Sequence, residues 1–332
     1  MQKTRASLSR LFVNQAAKGE AERVQQLEQL HLTHHGKPFV VDEGNLRFMY
    51  FNQNSVQSAM KINAPDHLLC GYTSAMMAFL LANPAPRHIL MVGLGGGSLV
   101  KFCHRHLPQC RFTALEIDAD VIALRDQFMI PADDERLEII HCDALDYLAR
   151  HQAASGTPFD VILLDGFDIE GLVEDLNSRE FYASCHQALT HDGILVVNMW
   201  GKSKKLVPLL SKLRALFKQN VWWCRSLDSY NLLAFSFKNR KTGFTANMSA
   251  CAKEMDLRFP LQLEQLSAHM HTLRLYMAST VTRPDQPAQT EAVNENAYDA
   301  REFFALSSDL AAIMVSDDSL PHNEIEWIAL HQ

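Results

Sequence analysis

Between His88 and Phe237 short apolar runs alternate with amphipathic stretches, and no other feature of the chain restricts its fold so tightly. The runs "HILMVGL", "RFTALEID", "LEIIHCDA", "FDVILLDGF" and "GILVVNMW" are each followed by a helical pattern, near 97–106, 119–128, 144–153, 177–189 and 203–218. Strands and helices alternating at this spacing predict an α/β fold whose mostly parallel sheet carries helices on both faces. Two last runs, "VWWCRSL" and "NLLAFSF", are joined tightly enough for a hairpin that would add an antiparallel edge.

The flanks follow other rules. Residues 4–30 repeat apolar positions at helical spacing, which predicts one or two amphipathic helices. From Phe39 to Ile62 the short runs "FVVDEG", "LRFMYF" and "SVQSAMKI" predict a small antiparallel sheet. The segment "CGYTSAMMAFLLANPAPRH" reads as a buried helix closed by two prolines. Beyond 240 the alternation stops, and helices are expected near 260–280 and 300–314 around a polar, proline-containing linker. The organisation expected is therefore an N-terminal helical segment (1–35), a small β domain (36–66), a catalytic domain (67–240) and a helical C-terminal extension (241–332).

Composition removes several classes of partner. The net charge is −7 and no stretch concentrates Lys and Arg, which argues against nucleic acid. The longest apolar stretch, "SAMMAFLLA", is far short of the roughly 20 residues that span a bilayer. The N-terminus lacks a signal-peptide core. Seven cysteines, none spaced Cys-x-x-Cys, predict reduced thiols and a cytoplasmic protein. No metal site is expected: His104 and His106 lie two apart on a helix and share no face, and His34 with His35 has no Cys or acidic cluster beside it. Trp200, Trp222 and Trp223 read as core or interface.

The stretch "MVGLGGGSLVKF" leaves the first strand of the alternation with Gly93, Gly95, Gly96 and Gly97 in quick succession. Only glycine lets a backbone approach a ligand so closely and take positive φ, and open sheets place ligands at such turns. Glu116 ends the next strand about 20 residues on, where a carboxylate accepts from ribose hydroxyls. Asp143 ends the third, where it could accept from an adenine amino group. Together they predict an adenosine crevice. Ser98 and Val100 break the strict G-x-G-x-x-G that seats a pyrophosphate, which favours a sulfonium nucleoside over a dinucleotide.

The blocks "NPAPRHILMVGLGGG", "ALEIDADVI", "DDERLEIIHCDALDYL", "FDVILLDGFD" and "LNSREFYASCHQALTHDGILVVN", in this order and spacing, resemble the spermidine synthase family of polyamine aminopropyltransferases. More broadly they resemble the Rossmann-like class I S-adenosylmethionine-dependent methyltransferase fold. The resemblance runs from about Val40 to Phe237. It implies a small N-terminal β domain, often dimer-forming, and decarboxylated S-adenosylmethionine or S-adenosylmethionine as co-substrate with no metal. It places Gln57 near the nucleoside, Glu116 at the ribose, and Asp143 with Ala144 at the adenine. Gly93, Gly95, Gly97 and Ile117 fall in the same cofactor-binding set. Tyr72 falls at the substrate pocket, Asp165 at the catalytic Asp after the fourth strand, and Asp168 at the second acid of a D-x-x-D element.

The chemistry asks carboxylates for two tasks. A polyamine nitrogen must lose a proton before it attacks the carbon beside the sulfonium, and two cationic substrates must be held together. Asp165 is expected to orient the amine and accept its proton, with Asp168 holding a nearby ammonium. The chain departs from the family pattern in three places, one of them "IEGLVED" where the family has a proline-containing stretch after the second Asp. Where the family reads G-G-G-D-G-G, with an Asp that grips the propylamine chain, this sequence has Gly96; after Tyr72 it has Thr73 and Ser74 where the family carries a Glu. Glu170, Glu174 and Asp175 could restore charge. Three readings therefore stand: aminopropyl transfer to a small-molecule amine, methyl or aminocarboxypropyl transfer from the ordinary cofactor, and a nucleoside-binding protein without turnover. A homodimer is expected.

Overall fold

The computed structural model describes residues 24–52, 55–168, 171–172, 175–199, 203–218, 220–229, 231–239 and 244–272. The helices expected within 4–23 and 300–314 lie outside them, as do Glu170 and Glu174.

A helix, α1 (residues 24–33), leads into an antiparallel meander of β1 (Phe39–Glu43), β2 (Leu46–Asn52) and β3 (Ser55–Lys61). Phe39, Phe48, Tyr50, Ala59 and Leu27 form its own small core. The run after it does not make one helix. It starts as α2 (Gly71–Met76) and tightens into a 3-10 turn over Met77–Leu81, every residue of which is buried.

Eight strands then make the main sheet: β4 (His88–Val92), β5 (Arg111–Glu116), β6 (Leu137–His141), β7 (Phe159–Leu164), β10 (Leu189–Met199), β11 (Val221–Arg225), β12 (Leu232–Phe237) and β13 (His271–Thr272). Their order is β13-β11-β12-β10-β7-β4-β5-β6. The pairs β10–β7, β7–β4, β4–β5 and β5–β6 are parallel; β12, β11 and β13 add antiparallel pairs. A two-stranded ribbon, β8 (Phe167–Asp168) with β9 (Gly171–Leu172), follows β7.

Because side chains alternate along a strand, a strand covered on both faces reads as one continuous apolar run. In β7, Val161 and Leu163 join one core while Ile162 and Leu164 join the other, and β4 divides Ile89 and Met91 from Leu90 and Val92 in the same way. The helices α3 (Ser98–His106), α4 (Ala119–Ala123), α5 (Ala144–Ala153), α6 (Arg179–Ala188) and α7 (Ser203–Leu216) make the crossovers.

Two local expectations change. The helix expected over 119–128 stops at Ala123, because the amides of Leu124 and Arg125 bond three residues back, to Val121 and Ile122, and Met129 takes φ +52°. This tight turn brings Phe128 fully inside. Over 260–272, the described part of the helix expected across 260–280, there are instead α9 (Leu263–Ser267) and the edge strand β13, with α8 (Phe244–Arg258) before them; 273–280 lie outside the described residues. Gln262 sits left-handed between the helices, and the Asp256 carboxylate accepts from the amides of Leu263 (2.7 Å) and Glu264 (2.8 Å) to start the second. All seven cysteines are thiols. Among the described residues no helix is long and apolar enough to cross a membrane.

Candidate active site

From β4 the parallel strands proceed one way to β5 and β6, and from β7 the other way to β10. The sheet therefore has its switch point between β4 and β7, and the crevice beyond their carboxyl ends is where such sheets hold ligands. Gly93 leaves β4 with φ +92°, its amide donating to Leu115 O (2.9 Å), while the Asp165 amide donates to Val92 O (2.9 Å). A Cβ on Gly93 would stand 2.2 Å from Asp165 O. The glycine loop and the turn after β7 thus pack backbone against backbone, a contact only glycine permits. Gly95 (φ +49°) and Gly97 (φ +64°) complete the loop, Gly97 as the N-cap of α3.

On one side of this contact stand the residues expected at the nucleoside. Glu116 ends β5, and its carboxylate accepts from the amides of Leu94 (2.8 Å) and Asp118 (3.0 Å), so it fixes the glycine loop and the start of the next turn together. Ile117 beside it is 67% exposed at the crevice rim. Asp143 caps α5 by accepting from the Asp146 amide (3.0 Å), and Ala144 is the buried first residue of that helix. Gln57 lies at a register shift of β3, where Met49 pairs with Ser58 and Tyr50 with Val56. Such shifts re-aim side chains.

On the other side stands Asp165. Its Oδ1 accepts from Asn198 Nδ2 (2.8 Å), and the Tyr72 hydroxyl donates to the same carboxylate. Burial pushes the Asp165 carboxyl above the usual range, and the two donors oppose that rise. Burial, followed by the Asp165 charge, holds the Tyr72 hydroxyl well above its ordinary value, so it remains a donor. The Cys70 thiol is pushed up to about 12, by burial first and then by Asp228 and Asp165, which removes it as a nucleophile. Asp168 lies in β8, its backbone paired with Gly171. Asp175 is exposed, in a 3-10 turn.

Sequence reading missed Asn198, which touches Asp165, Asn231, which bonds Asn198, and Asp228, which holds the Gly71 amide next to Tyr72. One signal pointed to the first: an amide interrupts the otherwise apolar "GILVVNM" of a strand buried on both faces.

Gly96 has a physical cause. A Cβ there would meet Ser58 Oγ at 2.5 Å and Phe128 Cδ1 at 2.7 Å. Behind it, Lys101 Nζ, 4% exposed, donates to Phe128 O (2.9 Å) and rests on Met60 Sδ (3.1 Å). The space that an Asp would need is filled from β3 and from the tightened turn after α4. Among the described residues no group of three or more His, Cys, Asp or Glu is placed to hold a metal ion.

Strand order, glycine loop and carboxylates at successive strand ends define the class I methyltransferase fold. A probable spermidine synthase from Corynebacterium glutamicum has this fold, 19% identical with a TM-score of 0.53, covering 65% of this chain and 83% of its own. Human methyltransferase-like protein 13, solved in complex with SAH, is 25% identical with a TM-score of 0.51, covering 57% and 94%. Residues 69–226 match the spermine/spermidine synthase domain. The polyamine aminopropyltransferase of Neisseria meningitidis serogroup A is 35% identical over 204 residues, which cover 60% of this chain and 75% of that enzyme. The chain belongs to the spermine/spermidine synthase family.

Proposed function

We propose that this protein is a transferase that moves an aminopropyl group from decarboxylated S-adenosylmethionine to an amine of a polyamine. The observation that carries the reading is Asp165: a carboxylate at the switch point, next to the glycine loop and held by donors from Asn198 and Tyr72. In the transfer, the amine lone pair forms a bond to the carbon beside the sulfonium as the carbon–sulfur bond breaks, its electrons returning to sulfur as a neutral thioether. The amine, protonated at neutral pH, gives up one proton before the attack, and the new secondary nitrogen remains an ammonium. No net charge is created, so alignment supplies most of the acceleration. Asp165 orients the amine and accepts its proton, while Glu116 and Asp143 receive the nucleoside.

Similarity to a polyamine aminopropyltransferase over three quarters of that enzyme's length supports the donor and acceptor classes. We place the protein in the cytoplasm as a homodimer, with no metal, no nucleic acid and no membrane partner. Light scattering tests the dimer. Asp165→Asn should abolish turnover while nucleoside affinity stays within about twofold; turnover at the unmodified rate would sink the assignment.

One observation favours a second reading. The propylamine-gripping Asp is replaced by Gly96, and its space is filled by Ser58 and Phe128. A donor that retains its carboxylate would no longer meet a repelling Asp there, and the likeness to methyltransferase-like protein 13 bound to SAH points the same way. Calorimetric titration with S-adenosylmethionine and its decarboxylated form, each with and without putrescine or spermidine, separates the two. Tighter binding of the decarboxylated donor, strengthened by the polyamine, supports aminopropyl transfer. Preference for the ordinary donor with no polyamine effect supports methyl or aminocarboxypropyl transfer.

A further inference from the structure

Asn198 and Asn231 are 2% and 3% exposed, two amides at the otherwise apolar ends of β10 and β12. A buried amide is costly unless its hydrogen bonds are met, and these form one directed chain. Ser229 Oγ donates to Asn231 Oδ1 (2.8 Å), Asn231 Nδ2 to Asn198 Oδ1 (3.0 Å), and Asn198 Nδ2 to Asp165 Oδ1 (2.8 Å). Every donor points toward Asp165. Asn198 can offer its NH2 to the carboxylate because Asn231 engages its oxygen, so Asn231 sets which way the neighbouring amide faces.

The turn that carries Ser229 and Asn231 also reaches the opposite side of Asp165. Asp228 accepts from the Gly71 amide at the start of α2 (3.0 Å) and from Ser226 Oγ (2.9 Å). A Cβ on Gly71 would lie 2.1 Å from Asp228 Oδ1, so the bare backbone at 71 is what admits that carboxylate. The next residue is Tyr72, which makes the second bond to Asp165. Contacts therefore run from Asp165 through Asn198 and Asn231 into the turn between β11 and β12, and back through Asp228, Gly71 and Tyr72.

Building on the role of Asp165 proposed above, we propose that Asn198, Asn231 and Asp228 are positioning residues: through the β11–β12 turn they fix the angle of the Asp165 carboxylate and favour its charged form. The distant residues act only through Asn198 and Tyr72. Any amine-directed transfer at this site depends on the same ring.

The test reads Asp165 directly in the substrate-free protein, by carboxyl carbon NMR with 13C-labelled aspartate, the resonance assigned by its loss in Asp165→Asn. Asn198→Leu removes one donor to the charged carboxylate and should raise the Asp165 pKa by about one pH unit. Asn231→Leu, similar in size and uncharged, removes the donor to Asn198 Oδ1; the amide is then free to turn over and the Asp165 pKa should rise by a similar amount, although residue 231 itself does not touch Asp165. Asp228→Ala, at an exposed position that leaves the core intact, also removes a negative charge, so it is made both in the parent and in Tyr72→Phe; the difference between the two backgrounds should be a smaller rise. The acid limb of kcat/KM should move with each shift. A rise below about 0.3 pH unit in Asn231→Leu, or in the Asp228→Ala difference between the two backgrounds should the former fail to fold, overturns the proposal. Shifts as expected together with full turnover in Asp165→Asn would leave the ring standing and remove the catalytic role of Asp165.

Discussion

Glu116 and Asp165 both end parallel strands of one sheet and border one crevice, yet they are held in opposite ways. Glu116 uses its oxygens on two backbone amides, that of Asp118 two residues on and that of Leu94 in the glycine loop, so the acid organises the backbone. Asp165 receives its bonds from side chains on β10 and α2, so the surrounding chain organises the acid. The end proposed to hold the nucleoside is thus built on backbone contacts at adjacent strand ends. The end proposed for the acceptor is an assembly of side chains from distant parts of the chain.

The backbone weld between the ends is the first place to break this contrast. Gly93→Ala puts a methyl carbon 2.2 Å from Asp165 O at a φ of +92°. Both strand-end turns must move, at a cost of about 3 kcal/mol or more. Nucleoside binding and turnover should fail together, with a lower melting temperature; retention of either alone would show that the ends are not joined through this contact.

A smaller effect tests the nucleoside end by itself. Glu116→Gln retains one acceptor and turns an NH2 toward the other amide, which costs about 1.5–3 kcal/mol and should lower nucleoside affinity more than tenfold. The Asp165 titration should not move. If it does, the acceptor end is not independent.

Lys101 sits behind the glycine loop, far from the acceptor end in its connections. Burial lowers its pKa to about 7, against 10.5 in the unfolded chain. Between those values the unfolded chain binds a proton that the folded chain does not, so stability should rise with pH across that window, by roughly 1 kcal/mol per pH unit. Below about 7 both states are protonated and this slope ends. Lys101→Met should flatten the slope in denaturant titrations at pH 7, 8 and 9 without altering turnover. An unchanged slope would remove Lys101 as its source.

These contrasts also explain what the sequence disclosed. Gly93, Glu116, Asp143 and Asp165 were legible because each ends a strand whose apolar run is unmistakable, and a parallel sheet collects those ends on one side. Asn198 and Asn231 lie 33 residues apart and meet only because β10 pairs with β12. Asp228 meets Gly71 across 157 residues. Side-chain periodicity carries no record of such meetings. Nor could two residues, His271–Thr272, announce an edge strand, or the i to i+3 bonds after Ala123 announce that Phe128 would fill the place beside Gly96.

Asp143 lies between the two modes, and its variants sharpen the comparison with the smallest effects. Its side chain caps α5 through the Asp146 amide and is proposed to accept from the adenine amino group. Asp143→Ala removes both roles and should cost about 1 kcal/mol of stability along with nucleoside affinity. Asn caps a helix as well as Asp does, so Asp143→Asn should melt within about one degree of the parent. With its oxygen on the Asp146 amide, however, the Asn turns its NH2 toward the incoming amino group, where donor meets donor. Affinity for an adenosine ligand should drop severalfold, while an inosine analogue, which offers an acceptor there, should lose less or gain. Equal affinities for both ligands in Asp143→Asn would reduce Asp143 to a cap and leave Glu116 as the acid that reads the nucleoside.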